Sequence, residues 1–167
     1  GPFSAVYGSA SGGVINIRTE DGPDTPFVSG RFNLGSYDYR QGQLKAGGQT
    51  GKLNWLANFS ATKLDGYRDH ANYKSRLFNS KFRYDFDESA SLTVVANAVE
   101  SPTADDPGGL NAGEVDEDRR QAAPRNLLYD AGEALDQQTL GLAFRKKIGG
   151  NQELMLRNYY VWRDFSN

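Results

Sequence analysis

The stretch Leu53-Asn54-Trp55-Leu56-Ala57-Asn58-Phe59-Ser60-Ala61-Thr62 decides the fold class of this 167-residue chain. Every second residue from Leu53 to Ala61 carries an apolar side chain, and the residues between them are polar except Leu56. A period of two residues predicts a β-strand with one apolar face and one polar face. Such a strand must pair with neighbouring strands that have the same division into an apolar and a polar face.

Six further segments with the same alternation flank this run. They are predicted at 27–34, 39–48, 78–86, 92–99, 139–145 and 154–162. The connections at 49–52, 87–90 and 148–151 are short. The connections at 66–73 and 101–136 are longer, and 101–136 is predicted to be irregular, exposed and mobile. The link at 35–38 is short where the alternation of lengths would require a longer connection. Segments of about 9–11 residues joined by connections of alternating length are typical of antiparallel up-and-down transmembrane β-barrels. We therefore predict an all-β fold, an open sheet of about seven strands that is too small to close alone.

The alternation also assigns each side chain to a face. The outward, lipid-facing set is predicted to be Val28, Phe32, Leu44, Trp55, Phe59, Phe82, Tyr84, Val94, Leu142, Leu156 and Trp162. The charged residues predicted on the opposite, luminal face are Arg31, Lys45, Lys81, Arg83, Asp85, Arg145 and Arg157. A hairpin at 87–90 predicts Tyr84 opposite Val94 and Phe82 opposite Ala96, with Trp55 beside Phe82 or Tyr84. Aromatic residues at both ends of the strands, Trp162 at one end and Trp55 at the other, suit the two interfaces of a membrane.

Composition excludes several other classes of protein. The formal net charge is −2 and the basic residues are scattered, which argues against a nucleic-acid partner. The chain has no cysteine, so disulfides and thiolate metal sites are excluded. Mean hydropathy is −0.66, and no stretch approaches the roughly 18 consecutive apolar residues of a membrane-spanning helix. Neither a nucleophile elbow nor a phosphate loop is present, and we expect neither an enzyme nor a cofactor.

The N-terminal residues form a second informative stretch. This stretch begins with Gly1, Pro2, Ser4, Tyr7 and Gly8 and continues with Gly12-Gly13-Val14-Ile15-Asn16-Ile17 and Thr19. Glycines permit tight turns, and the β-branched run predicts a short buried strand. This ordered set resembles the end of the plug domain in TonB-dependent outer-membrane receptors. The barrel half also resembles this family, since Asp65-Gly66-Tyr67-Arg68 and the strand Leu77–Tyr84 are similar to its pattern of third strand, loop and fourth strand. A loop found in siderophore- and iron-complex-type members is similar to Asp105-Asp106-Pro107-Gly108-Gly109-Leu110.

The resemblance implies that the chain is an internal fragment of such a receptor. It implies the end of the plug domain at 1–22, a linker at 23–26 and the N-terminal part of the β-barrel at 27–167. The implied function is energised uptake of a scarce ligand, a ferric siderophore or other iron complex, across the bacterial outer membrane. The implied partners are that iron chelate, outer-membrane lipid and the TonB–ExbB–ExbD complex, which contacts a part of the receptor outside this chain.

Two groups of residues are candidates for function. The predicted ligand contacts lie in extracellular loops and are Tyr67, Arg68, His70, Asp105, Asp106, Arg119 and Arg120. The plug motif comprises Gly8, Gly12, Gly13, Asn16 and Arg18. The resemblance allows Arg18 to pair with a luminal carboxylate such as Asp85, and simple hydration of the luminal charges is the alternative. His70 is the single histidine, and a solvated polar loop is its commoner setting. The acidic residues from Asp105 to Asp118 lack EF-hand spacing, so a solvated loop is expected there and no metal site.

Two alternatives stay open on the sequence. A non-transporting outer-membrane barrel, such as a porin or an adhesin-like protein, would show the same strands but needs no plug. A soluble β-sandwich, such as a carbohydrate-binding module, would explain the turns and aromatic residues but must bury its apolar face against a second sheet.

Overall fold

A computed structural model describes residues 19–167 of the chain. This part folds as one antiparallel sheet of seven strands, whose spatial order follows the chain. The strands are β1 (Phe27–Leu34), β2 (Arg40–Thr50), β3 (Leu53–Leu64), β4 (Tyr73–Asp87), β5 (Ala90–Asp105), β6 (Gly132–Gly149) and β7 (Gln152–Ser166). The predicted all-β meander, with open edges at β1 and β7, is confirmed.

The predictions made for residues 1–18 lie outside the described residues. They comprise the short strand after Gly13, the pairing of Arg18 with Asp85, and the plug motif Gly8, Gly12, Gly13, Asn16 and Arg18.

The register between strands fixes which side chains share a face. Trp55 lies opposite Phe82, and its neighbour Leu56 lies opposite Lys81. Directly opposed residues project to the same side of a sheet, so Trp55 and Lys81 lie on opposite faces. Following the register from β1 to β7 places the whole predicted outward set on one face, here called the apolar face. The predicted luminal charges all lie on the other face, here called the polar face, so the division into two faces is confirmed.

The apolar face is uncovered in residues 19–167. Val28 is 74% exposed and Trp162, on the far edge strand, is 51% exposed. The buried hydrophobic residues of the described chain are two small ones, Ala90 and Ala122. The sheet therefore has no apolar core of its own in these residues, and no second sheet of the kind a β-sandwich needs. Backbone hydrogen bonds between neighbouring strands hold it together.

The connections sort by length between the two ends of the sheet. Two-residue turns at 51–52, 88–89 and 150–151 lie at one end, here called the turn end. The connections 35–39, 65–72 and 106–131 lie at the other, here called the loop end. Gly51 has a φ of +58°, which suits the residue without a Cβ in a two-residue hairpin turn. The predicted alternation is confirmed, including the short link between β1 and β2.

The predicted register across the β4–β5 hairpin is wrong by two residues. Tyr84 lies opposite Leu92 instead of Val94, and Phe82 lies opposite Val94 instead of Ala96. The observed turn at 88–89 has the same centre as the predicted turn at 87–90, so the turn length does not change the pairing. A bulge between Asp85 and Asp87 shifts the pairing by one residue. The other residue of the error lies in the predicted pairs, because a turn at 87–90 without a bulge places Tyr84 opposite Thr93. A shift of two residues preserves the faces, so the face assignment survives this error. Trp55 does lie beside Phe82, as predicted.

The predicted bounds of the irregular stretch, 101–136, are also wrong. Strand β5 continues to Asp105 and β6 already begins at Gly132. Pro102 broke the sequence pattern, but a register shift between Ser101 and Ala104 accommodates it within the strand. Ser101 is 9% exposed and donates from Oγ to the Lys74 carbonyl at 3.1 Å, so this part of the chain belongs to the sheet.

The loop between β5 and β6 contains two short helices within the described chain, α1 (Ala112–Asp118) and α2 (Pro124–Leu128). Asn111 caps α1, because its side chain accepts from the Glu114 amide while the Glu114 carboxylate accepts from the Asn111 amide. Pro124 begins α2, a position where its missing N–H costs nothing. Neither helix is long or apolar enough to cross a membrane.

Candidate functional site

The segment that precedes β1 lies on the polar face and is held there by ion pairs. The Asp21 carboxylate accepts from Lys81 Nζ at 2.6 Å and from Arg83 Nη1 at 3.1 Å. Glu20 pairs with Lys45, and Lys81 Nζ also donates to the Thr19 carbonyl at 3.2 Å. The carboxylates of this segment thus meet cations carried by β2 and β4.

Asn54 and Gly22 add a neutral contact between the same two parts. The Gly22 amide donates to Asn54 Oδ1 at 2.9 Å, and Asn54 Nδ2 donates to the Gly22 carbonyl at 2.8 Å. Asn54 is 5% exposed, so both bonds are shielded from water. A Cβ on Gly22 would lie 2.3 Å from the Trp55 carbonyl oxygen, so this close approach requires glycine.

The electrostatic setting of Asp21 favours its ionised form. The hydrogen bond from Lys81, with further attraction from Lys81 and Arg83, holds the pKa of Asp21 below its ordinary value of 3.8 despite an opposing effect of partial burial. The segment therefore binds the polar face as an anion at neutral pH.

A polar groove of about 440 Å³ opens beside this segment. Asn58, Asn79 and Asn97 lie in register on three neighbouring strands and line it. Gln43 Nε2 donates to Asn58 Oδ1 at 2.8 Å, continuing the row of amides toward β1. Amide side chains offer both donors and acceptors, so this surface suits water or a polar polypeptide.

At the loop end, Arg68 holds the 106–131 loop in place. Its Nε and Nη2 donate to the Gln121 carbonyl at 3.0 and 2.8 Å, Nη2 donates to the Pro107 carbonyl at 2.9 Å, and Nη1 donates to the Gly108 carbonyl. Four of the five N–H donors of a guanidinium are thereby engaged. Little of this side chain is left for a ligand.

His70 also contacts the same loop. Its Nε2 lies 2.7 Å from the Ala131 carbonyl oxygen, and its Nδ1 lies 4.0 Å from an Asp130 carboxylate oxygen. The imidazole side chain is 11% exposed, whereas that of Asp130 is 96% exposed. The histidine therefore packs between two loops and is not solvated, contrary to the expectation of a solvated polar loop.

The two predicted acidic contacts take part in loop hydrogen bonds. Asp105 accepts from Asn72 Nδ2 at 2.8 Å. Asp106 accepts from the Gly108 amide at 2.9 Å and, through its other carboxylate oxygen, from Asn126 Nδ2 at 3.2 Å. Among residues 19–167 no group of three or more His, Cys, Asp or Glu side chains is placed to hold a metal ion.

Three of the predicted contacts, Tyr67, Arg119 and Arg120, remain open at the loop end. The Tyr67 ring is 41% exposed, and the Arg120 guanidinium lies 5.8 Å from its centroid. Tyr37, which the sequence analysis missed, meets Tyr67 edge to face with centroids 5.6 Å apart. Arg119 is the C-cap of α1 and is exposed. The structure thus joins loops 35–39, 65–72 and 106–131 in one aromatic and cationic surface.

Sequence reasoning missed the residues that dock the N-terminal segment. It assigned Glu20 and Asp21 to the end of the plug domain but named no contact for them or for Asn54. Alternation placed Asn54 on the polar face but carries no information about a partner 32 residues away. The capping box at Asn111 and Glu114 was a usable signal for α1 that the sequence analysis did not use.

The comparison with known proteins gives a distant relation to a receptor. No protein-family model matches the chain. The chain is 25% identical over 170 aligned residues to the metal-pseudopaline receptor CntO of Pseudomonas aeruginosa (strain UCBPP-PA14). The alignment covers 96% of this chain but 23% of that receptor, so the chain spans less than a quarter of its length. This similarity supports a relation of the TonB-dependent receptor type and carries no ligand over to this chain.

Proposed function

We propose that this chain is part of a TonB-dependent outer-membrane receptor that takes up a metal chelate, with its sheet forming one portion of a transmembrane barrel wall. The single observation that carries the proposal is the sidedness of the sheet. Within residues 19–167 one face is apolar and uncovered, while the other is polar and carries the segment that precedes β1. A barrel wall between lipid and a filled lumen has this arrangement.

The lipid-facing role of the apolar face is supported by the position of its aromatic residues. Trp55 and Tyr84 lie toward the turn end, whereas Tyr160 and Trp162 lie toward the loop end with ring centroids 4.2 Å apart. Amphipathic rings favour the two interfaces of a bilayer. On this proposal the turn end is periplasmic and the loop end is extracellular.

The segment 19–22 is then the last part of a plug domain on the inner wall of the barrel. Its ion pairs and the Asn54–Gly22 hydrogen bonds support this role, because they attach polar backbone to a face that would otherwise be hydrated. The predicted partner complex TonB–ExbB–ExbD would act on a part of the receptor outside this chain, and no covalent chemistry is involved.

We propose that the ligand is an anionic metal chelate. The resemblance described above implies a ferric siderophore or another iron complex as its form. Support comes from the loop-end surface of Tyr37, Tyr67 and Arg120, where exposed rings and a cation can contact the organic shell and the negative charge of a chelate. The related receptor is named for metal-pseudopaline, and a ligand that contains a metal agrees with this class.

The test uses the full-length protein that contains this chain. We expect it to fractionate with the outer membrane and to bind one member of a panel of ferric and other metal chelates in a fluorescence or calorimetric titration. Tyr67→Ala should weaken that binding about tenfold, equal to roughly 1.4 kcal/mol. Leu128→Ala is the matched control, because Leu128 is an exposed loop residue outside the ring cluster.

Recovery of the full-length protein in the soluble fraction would overturn the barrel assignment. A different outcome is that both proteins insert correctly into the membrane and that Tyr67→Ala binds every chelate with the affinity of the wild type. The barrel assignment would then stand, and the loop-end surface would be excluded as the ligand site.

A further inference from the structure

The polar face carries more positive charge than the docked segment neutralises. The cations that β1, β2, β4, β6 and β7 place on this face are Arg31, Lys45, Lys81, Arg83, Arg145, Lys147, Arg157 and Arg163. The carboxylates that the strands place there are Asp85, Glu133 and Glu153. Glu20 and Asp21 neutralise the part of this excess positive charge that lies on β2 and β4, because they pair with Lys45 and Lys81.

The uncompensated part lies toward β7. Within residues 19–167, Arg157 takes part in no ion pair and no side-chain hydrogen bond. Arg145 Nε lies 3.3 Å from Glu153, and both side chains are substantially exposed. A groove of about 200 Å³ lies between these arginines and Asp21, with Ser91 and Thr93 in its lining.

The register explains the shape of this groove. Arg83, Thr93, Ala143 and Arg157 lie in one row across β4 to β7. Neighbouring strands are about 4.8 Å apart, so the two arginines lie about 14 Å apart across a floor of small side chains. The Arg83 Nε is buried and has no hydrogen-bond acceptor within the described chain, although Asp85 lies at ion-pair distance. A trough of this kind, with cations on both sides, fits an added anionic group.

We infer that this trough, the Arg83–Arg157 trough, binds an acidic segment of the same receptor from outside residues 1–167, through a carboxylate contacting Arg157 and Arg145. The inference rests on the proposed function, which makes the polar face the inner wall of a filled barrel. The binding mode is that of Asp21 on Lys81 and Arg83 of β4, repeated on β6 and β7. Residues 1–18 contain neither Asp nor Glu, so they cannot supply the carboxylate.

The experiment is zero-length carbodiimide cross-linking, which joins a lysine amine to a carboxylate in contact with it. The full-length receptor is prepared in outer-membrane vesicles with Arg157→Lys, and separately with Arg145→Lys in case one variant assembles poorly. Cross-linked peptides are identified by mass spectrometry. The Lys81–Asp21 pair, at 2.6 Å, is an internal positive control, and Lys74 on the apolar face is the negative control.

The expected result is a cross-link from position 157 or 145 to an Asp or Glu outside residues 1–167 of the same molecule, together with the Lys81–Asp21 link. If the Lys81–Asp21 link forms but positions 157 and 145 link to Glu153 alone, to another molecule or to nothing, the inference is overturned and the proposed function stands. Absence of the protein from the outer membrane would instead overturn the proposed function.

Discussion

Asp21 and Lys81 meet across the polar face of the sheet, with a carboxylate oxygen 2.6 Å from Nζ. The two residues are far apart in sequence, and their contact joins the segment before β1 to the middle of the sheet. Together with the Asn54–Gly22 hydrogen bonds, it turns the start of the described chain into a docked element.

The docking of residues 19–22 should weaken in acid. The folded-state pKa of Asp21 lies below 3.8, chiefly because Lys81 donates a hydrogen bond to it. A carboxyl with a lowered pKa contributes fully above its unfolded value, and the contribution is lost as pH falls through the folded value. Hydrogen exchange of a peptide covering 19–26, corrected for intrinsic rates, should show constant protection from neutral pH down to about 4 and a loss below it. Asp21→Asn should remove that pH dependence; an unchanged profile in this variant would contradict the prediction.

Gly22→Ala should detach the segment from the sheet. The added Cβ would lie 2.3 Å from the Trp55 carbonyl oxygen and 2.8 Å from the Gly48 backbone, neither of which can move without disturbing β2 and β3. Overpacking of this kind costs about 1–3 kcal/mol, comparable to the hydrogen bonds gained by docking. Carbodiimide cross-linking of Lys81 to Asp21 should fall at least severalfold. Gly109→Ala, which meets nothing within 4 Å, should leave the yield unchanged.

Arg68→Met should loosen the 106–131 loop without harming the sheet. The substitution keeps much of the side-chain volume but leaves the carbonyls of Pro107, Gly108 and Gln121 without their charged donor. Hydrogen bonds to a charged group contribute about 1.5–3 kcal/mol each, so local opening should become at least tenfold easier. Hydrogen exchange should accelerate in 106–131 and stay unchanged in β2 and β3. Arg119→Met, at an exposed site on the same loop, is the control.

A charge on the apolar face should block assembly where the same charge on the polar face does not. Phe59→Lys places an ammonium on the apolar face, and Asn58→Lys places one on the polar face one residue away. On the lipid face near the bilayer midplane such a charge costs about 2–4 kcal/mol. Heat-modifiable migration on gels and outer-membrane yield should fall for Phe59→Lys alone. Equal assembly of the two variants would argue against lipid on the apolar face.

The division of the sheet into two faces could be predicted from the sequence because it depends on parity alone. Trp55 and Lys81 lie on opposite faces in every register that brings the apolar residues of β3 and β4 to one face, because such registers differ by even numbers of residues. The number of strands and the sorting of connections by length followed from turn residues such as those around Gly51. The N-terminal motif suggested a family, and residues 1–18 lie outside the part of the chain that could test it.

The sequence by itself therefore determined a sided antiparallel meander. The tertiary structure decided the register across the β4–β5 hairpin, because one bulged residue between Asp85 and Asp87 changes every pairing and no local pattern marks it. It also decided which polar residues act together. Arg68 holds carbonyls some 40 residues away, and Asp21 reaches Lys81 and Arg83 across the polar face. Contacts of this kind depend on how separate segments approach in space, which the alternation of neighbouring residues does not encode.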